Sequence, residues 1–238
     1  MQIISVKKIN TAEYGAITEH PNMYAIHAQI DSNDFENEGL LLIHQLNDTN
    51  WMSTLDEIDR VAYDERARQT IEKLTQVVIQ ALEESGLTKE FGEYLISHSA
   101  QEILHNEFRH TKIPLAELWK ERKTGNPGFD FHTLSNTDIL VFGEAKYQTH
   151  QSPYKKAIQQ VDNFINEKKD RKELTDLRRF VSENASRKVI VGDKGYTLAF
   201  SIRGNKSIDD IFRNSIRLIL GSLIMNSSEI YIIAIEII

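Results

Sequence analysis

The residues of this chain best suited to chemistry are an aspartate and a glutamate on neighbouring apolar segments, followed by a lysine. Asp130 lies in Gly128-Phe129-Asp130-Phe131-His132. The run Ile139-Leu140-Val141-Phe142 leads into Gly143-Glu144-Ala145-Lys146, with 13 residues between Asp130 and Glu144. Two carboxylates that converge can hold a hard divalent cation, which prefers oxygen ligands. Lys146, two residues after Glu144, points to the same side of a strand, where it can position a water and neutralise charge on a phosphate. That is the chemistry of a metal-dependent nuclease. Glu-x-Lys occurs three times, at Glu121-Arg122-Lys123, Glu144-Ala145-Lys146 and Glu167-Lys168-Lys169. The outer two sit among charged residues and read as solvated surface. Only the middle one closes an apolar run, and burying its charges without partners is costly. The plainer alternative is a strand-end ion pair on a sheet edge.

The order Gly128-Phe129-Asp130, a short hairpin, then Gly143-Glu144-Ala145-Lys146 resembles the core of the PD-(D/E)XK nuclease superfamily. Within it, the pattern is most similar to the HamA-type effectors of the Hachiman antiphage system, which act with a helicase partner, HamB. The resemblance covers roughly residues 91–165. Phe91-Gly92-Glu93-Tyr94-Leu95 is similar to the start of the family's helix glutamate motif. The chain departs from the family in that Pro127 is separated from Asp130 by Gly128 and Phe129. The resemblance implies DNA cleavage with Mg²⁺ or Mn²⁺ held by Asp130, Glu144 and the backbone carbonyl of Ala145. Lys146 would orient the attacking water, and Glu93 would bind a second metal or tether the first through water. It also implies a helicase or ATPase subunit as partner.

The elements that must position these groups follow from periodicity. Residues 89–110 predict a helix whose apolar face is Ile96, Ala100, Ile103 and Leu104, with Glu93 and Glu107 at steps of three or four on that face. Inward carboxylates are unusual unless paired or metal-bound. Glu93 is favoured for the site, with Glu107 in reserve and Glu102 on the flank; both inward glutamates could instead meet surface cations. A turn at residues 125–128 precedes a hairpin with strands near 129–133 and 138–146. A helix over about 152–167 carries Lys155, Lys156 and Gln160 near its start, where free amides also favour phosphate. These are the nucleic-acid-binding candidates, although each could equally sit on a solvated face.

Elsewhere, residues 1–50 read as short strands and loops, including the run at 39–44. A capped helix runs from Ser53 to about Ser85, stopped by Gly86. Residues 168–179 read as an exposed, salt-laced helix, residues 188–191 and 196–202 as two strands, and 208–225 as an apolar-faced helix. Residues 230–238 have the β-branched density of a buried strand. His132 and His150 could line the site but read more simply as surface histidines. No phosphate loop of the NTPase type is present, so this chain is not expected to hydrolyse ATP.

Net charge is −7 and no cysteine is present, which removes disulfides and thiolate metal sites. Residues 1–110 hold 8 basic and 19 acidic side chains, whereas the remainder holds 20 and 16. The half with the nuclease pattern is therefore mildly basic, and phosphate binding depends on local charge. No segment has the length of a membrane span and the first residues lack a signal-peptide core, so the expectation is a cytoplasmic protein with no membrane partner. The expected fold is α/β: a restriction-endonuclease-like mixed sheet flanked by helices (87–238), with an N-terminal α+β accessory region (1–86) packed on it. Two rival functions remain. One is a catalytically silent scaffolding or regulatory subunit that binds a helicase or DNA. The other is an autonomous restriction-type endonuclease.

Overall fold

The computed structural model describes residues 1–83, 88–119, 128–147, 153–202 and 207–238. Residues 86, 121–123, 125–127, 150 and 152, which carry several expectations from the sequence, lie outside them.

The architecture is mixed α/β. The strands are β1 (Gln2–Lys8), β2 (Met23–Ile30), β3 (Thr111–Lys112), β4 (Phe131–Leu134), β5 (Leu140–Lys146), β6 (Gly195–Ile202) and β7 (Glu229–Ile237). They form one seven-stranded sheet in the order β1-β2-β7-β6-β5-β4-β3. Strands β2, β7, β6 and β5 run parallel, and antiparallel partners flank them at both edges. All eight residues of β6 and the first seven of β7 are buried, as expected of parallel strands covered on both faces. Each fully buried isoleucine in β7 contributes roughly 1.5–3 kcal/mol. Strand β7 thus lies inside the sheet, and β1 and β2 join that same sheet across the expected boundary at 86/87.

The principal helices are α1 (Phe35–Asn47), α2 (Glu57–Glu83) and α3 (Lys89–Phe108), followed by a short α4 (Ala116–Trp119). Beyond the hairpin come α5 (Pro153–Asn166), the single turns α6 (Lys169–Lys172) and α7 (Leu174–Leu177), α8 (Glu183–Val191) and α9 (Ile208–Leu220). Helix α3 begins where the Thr88 hydroxyl accepts from the Phe91 N–H at 3.2 Å and ends at Arg109 in a left-handed conformation. It covers one face of the sheet: Gly92 lies against the Tyr147 ring, and Phe108 meets Tyr24 and Tyr231 edge-on at 4.9 and 5.0 Å. Helix α5 covers the other face, where Phe164 packs on Phe129 and Tyr154 on Phe200. Among the described residues no helix is long and apolar enough to cross a membrane.

Several local expectations are corrected. The run at 39–44 is helical: Gly39, Leu42 and Leu46 turn inward while Leu40 and Leu41 face solvent, and a run of apolar residues alone does not separate helix from strand. Residues 188–191 end helix α8, because the Ser182 hydroxyl caps its start and Gly192, at φ 100°, closes its end; cap residues outweigh the β-branched content. Helix α2 is capped by Asp56, which accepts from the Asp59 N–H at 2.9 Å, while Ser53 and Thr54 belong to a preceding 3₁₀ turn. Helix α9 stops at Leu220 rather than near Met225, and a 3₁₀ turn follows. The segment 168–179 is two short turns with Lys169, Asp170 and Glu173 buried, not an exposed helix.

Candidate active site

Antiparallel pairing sets Phe131 opposite Gly143 and His132 opposite Phe142, and Asp130 follows just beyond the last pair, where its carboxylate acts directly on that of Glu144. Lys146 shares the side of Glu144 by strand periodicity. The Asp130 N–H donates to the Gly143 carbonyl at 2.9 Å, and Asp130 Oδ2 accepts from the Ala145 N–H at 2.8 Å. The carboxylate is thereby held against the strand that carries Glu144. Gly143 is required by this pairing, because a β-carbon there would stand 2.3 Å from the Phe131 ring.

Glu144 is fully buried. Its Oε1 accepts from Lys146 Nζ, which also donates to the Ala145 carbonyl at 3.1 Å. Its Oε2 is sealed from solvent with no hydrogen-bonding partner among the described residues. Burial pushes the Glu144 carboxyl well above the usual range, and the neighbouring Asp130 carboxylate pushes it further, against the pull of Lys146. For Lys146, burial works to lower the pKa, but Glu144 and Asp130 outweigh it and the pKa is raised. Lys146 is therefore an ammonium at neutral pH, a donor and not a base.

Glu93 reaches the same cluster from α3. It lies within electrostatic range of both Asp130 and Lys146, and burial raises its pKa despite Lys146 and the exposed Lys89, 3.8 Å away. Gly92 makes this approach possible: a β-carbon would fall 2.2 Å from Tyr147 Cγ, at the end of the strand bearing Glu144 and Lys146. Gly92→Ala is expected to force the helix or the ring aside, lowering stability by roughly 1–3 kcal/mol as overpacking does. Urea denaturation reads that loss; an unchanged midpoint would mean that the helix does not need this close approach.

Glu107 is exposed and Glu102 is paired with Lys112 at 2.5 Å. Glu107 stands 14 residues beyond Glu93, about 21 Å along a helix, so the reserve candidate falls at the far end of α3. The sequence places it on the apolar face, but that face is no longer covered at the last turn. Lys155 and Lys156 are exposed in the first turns of α5, and Gln160 is half-buried one turn later. Among the described residues no hydrogen bond or ion pair ties these three to the carboxylate cluster.

His132 is fully buried, not a surface residue, and its Nε2 lies 2.8 Å from Glu173 Oε2. Gln101, also buried, donates through Nε2 to the carbonyls of Ile113 at 2.7 Å and His132 at 3.0 Å. Neither Glu173 nor Gln101 is marked by spacing in the sequence; each acquires its position only through contacts distant along the chain.

Three carboxylates, Glu93, Asp130 and Glu144, face the Lys146 ammonium, with Lys89 at the rim. Negative charge exceeds positive when all are ionised, and the Glu144 Oε2 has no donor. A divalent cation fits both facts. Among the described residues no three or more His, Asp or Glu side chains form a self-sufficient metal cluster. Mg²⁺ commonly uses one or two carboxylates together with water and substrate phosphate, which matches the pair Asp130 and Glu144. Comparison with protein-family models, with characterised proteins and with solved structures finds no match for this chain.

Proposed function

We propose that this chain is a metal-dependent deoxyribonuclease and acts as the effector of an antiphage defence system together with a helicase partner. One observation carries the nuclease reading: a buried glutamate oxygen that no protein donor reaches, beside a second carboxylate and a lysine at the end of one hairpin. The order α3, β4–β5 hairpin, α5, β6 supports a restriction-endonuclease-like core for residues 87–238. The defence assignment and the helicase partner rest on the residue resemblance of Glu93, Asp130, Glu144 and Lys146 to the HamA-type effectors. The uneven charge of the chain adds support, since a mildly basic half joined to an acidic one favours a nuclease whose grip on DNA is completed by another subunit.

Asp130, Glu144 and the Ala145 carbonyl would hold Mg²⁺ or Mn²⁺. Such an ion acts as a Lewis acid on the phosphate and lowers the pKa of water. The chain's own groups complete the work. Lys146, kept protonated by its carboxylate neighbours, orients the attacking water and offsets charge that develops on the phosphate oxygens. Glu93, held close by Gly92, adds a third carboxylate that can order water at the ion. Lys155, Lys156 and Gln160 would contact the DNA backbone near the start of α5.

Lys146→Ala is expected to lower turnover by about 10²-fold, the scale of one lost transition-state stabiliser, while Mn²⁺ binding persists. Calorimetry and single-turnover cleavage separate the two. Loss of metal binding with a near-normal residual rate would make the lysine structural. The function as a whole is tested by cleavage of plasmid and linear DNA with Mg²⁺, Mn²⁺ or EDTA, with and without an ATP-driven helicase recovered by co-purification. No metal-dependent cleavage under any of these conditions would reject the reading.

A further inference from the structure

Glu173 is a buried carboxylate in a segment whose sequence reads as solvent-exposed charge. An ionisable group at such a position is unusual unless it is bound. Its two oxygens go to residues on either side of Asp130: Oε1 accepts from the Phe129 N–H at 3.0 Å, and Oε2 lies 2.8 Å from His132 Nε2. Phe129 stands beyond the paired residues of β4 and β5. His132 sits on the same side of its strand as Asp130. From these contacts we infer that Glu173 is a positioning residue for Asp130, fixing the backbone before the metal-binding carboxylate and the His132 ring after it. The inference rests on the nuclease reading of that site.

The platform beneath Glu173 is rigid. Its N–H donates to the Lys169 carbonyl at 2.9 Å, and its carbonyl accepts from Asp176 and Leu177 at 3.1 and 3.0 Å. One turn earlier, Asp170 is paired with Lys194 and accepts from the Tyr196 hydroxyl at 3.4 Å, tying α6 to β6. On the other side, Tyr63 donates to Asp176 at 3.1 Å, and Arg179 grips Asp59 with bonds of 2.5 and 3.0 Å. The segment 169–179 is thus tied to both β6 and α2. The Phe129 ring is in turn locked between Phe142 and Phe164, each 5.0 Å away. A carboxylate held this way can set the direction of the next side chain along the strand, and such support shells tune metal affinity.

Removing an outer-shell partner typically weakens metal binding or activity by about 10–100-fold. Glu173→Ala should therefore bind Mn²⁺ about 10–100-fold more weakly than wild type, measured by calorimetry well below its melting temperature. Glu173→Gln keeps an acceptor for the Phe129 N–H and should stay within about threefold of wild type, the conservative rescue expected of an anchoring role. If Glu173→Ala does not fold, Glu173→Asp takes its place: it keeps the charge but withdraws the oxygen from Phe129, and it should also weaken binding about tenfold. Wild-type Mn²⁺ affinity in these variants, with lowered melting temperature alone, would make Glu173 merely structural and overturn the inference. A glutamine variant as weak as alanine would overturn it too, because charge and not anchoring would then matter. Asp130→Ala is the control that separates the two levels. If wild type and Asp130→Ala bind Mn²⁺ alike, the site reading fails and the inference falls with it. If only Asp130→Ala loses the ion, the positioning role alone is rejected.

Discussion

Asp130→Ala and Glu144→Ala are each expected to lower Mg²⁺-dependent DNA cleavage by about 10³-fold or more, at or beyond the upper end for loss of a single electrostatic stabiliser. The Asp130 carboxylate is seated on the Ala145 N–H beside Glu144, and removing either side chain takes away one of the two charged oxygen ligands proposed for the ion. Asp130→Asn makes the sharper variant. An amide oxygen can still accept from the Ala145 N–H, the 2.8 Å bond that seats the side chain, so the local structure is kept while the charge is lost. Cleavage of supercoiled plasmid with Mg²⁺, read beside circular dichroism, tests this. Full activity in either alanine variant would remove these residues from the site.

The second large effect runs in the opposite direction, towards greater stability. Glu144→Gln is expected to make the metal-free protein more stable at neutral pH while eliminating cleavage. The folded-state pKa of Glu144 is raised above its ordinary value of 4.5, chiefly by burial. A raised carboxyl favours the fold only while it is protonated. Its contribution is intact below about pH 4.5 and is lost progressively as pH rises towards the folded pKa. Each unit of displacement corresponds to about 1.4 kcal/mol. Glutamine carries no such penalty, so the gap between variant and wild type should open steadily above pH 4.5 in EDTA. Mn²⁺ should then close it, because an ion that binds only the folded wild type adds about 2.7 kcal/mol at a hundredfold excess over its dissociation constant. Urea denaturation at several pH values, with EDTA or Mn²⁺, reads both limbs. Parallel pH profiles for the two proteins in EDTA would show that the Glu144 carboxyl is not raised, and equal stabilisation of both by Mn²⁺ would show that Glu144 is not the ion's ligand.

The cluster was legible where its logic is local. Alternation along 139–146 puts Glu144 and Lys146 on one side of a strand, and the short hairpin makes Asp130 their neighbour. Gly92-Glu93 was legible as a motif, though the reason for its glycine, the Tyr147 ring, is visible only in three dimensions. Glu107 was misplaced because helical periodicity gives the direction of a side chain but not where the covering layer ends. His132 was read as a surface histidine, and Glu173 was missed, because their partnership joins residues 41 apart in sequence, and the surrounding charges of 168–179 disguise a buried carboxylate. The elements misread, α1 and α8, are short segments whose caps and packing partners decide what apolar content alone leaves open.

Strand β7 follows every other strand in sequence, yet it stands between β2 and β6. Met23 pairs with Ile230, so the first strands wait for nearly the whole chain before they have a parallel neighbour. During synthesis the hairpin bearing Asp130 and Glu144 can meet α3 and β6 early, while β1 and β2 remain a separate ribbon. Closure over so long a loop is slow and carries a large entropic barrier. Final assembly is therefore a keystone event: a chain interrupted before β7 would hold a nearly complete carboxylate cluster on half a sheet, with an unsealed parallel edge. Loss of the last strand should consequently convert this protein into an aggregating fragment instead of a smaller folded one.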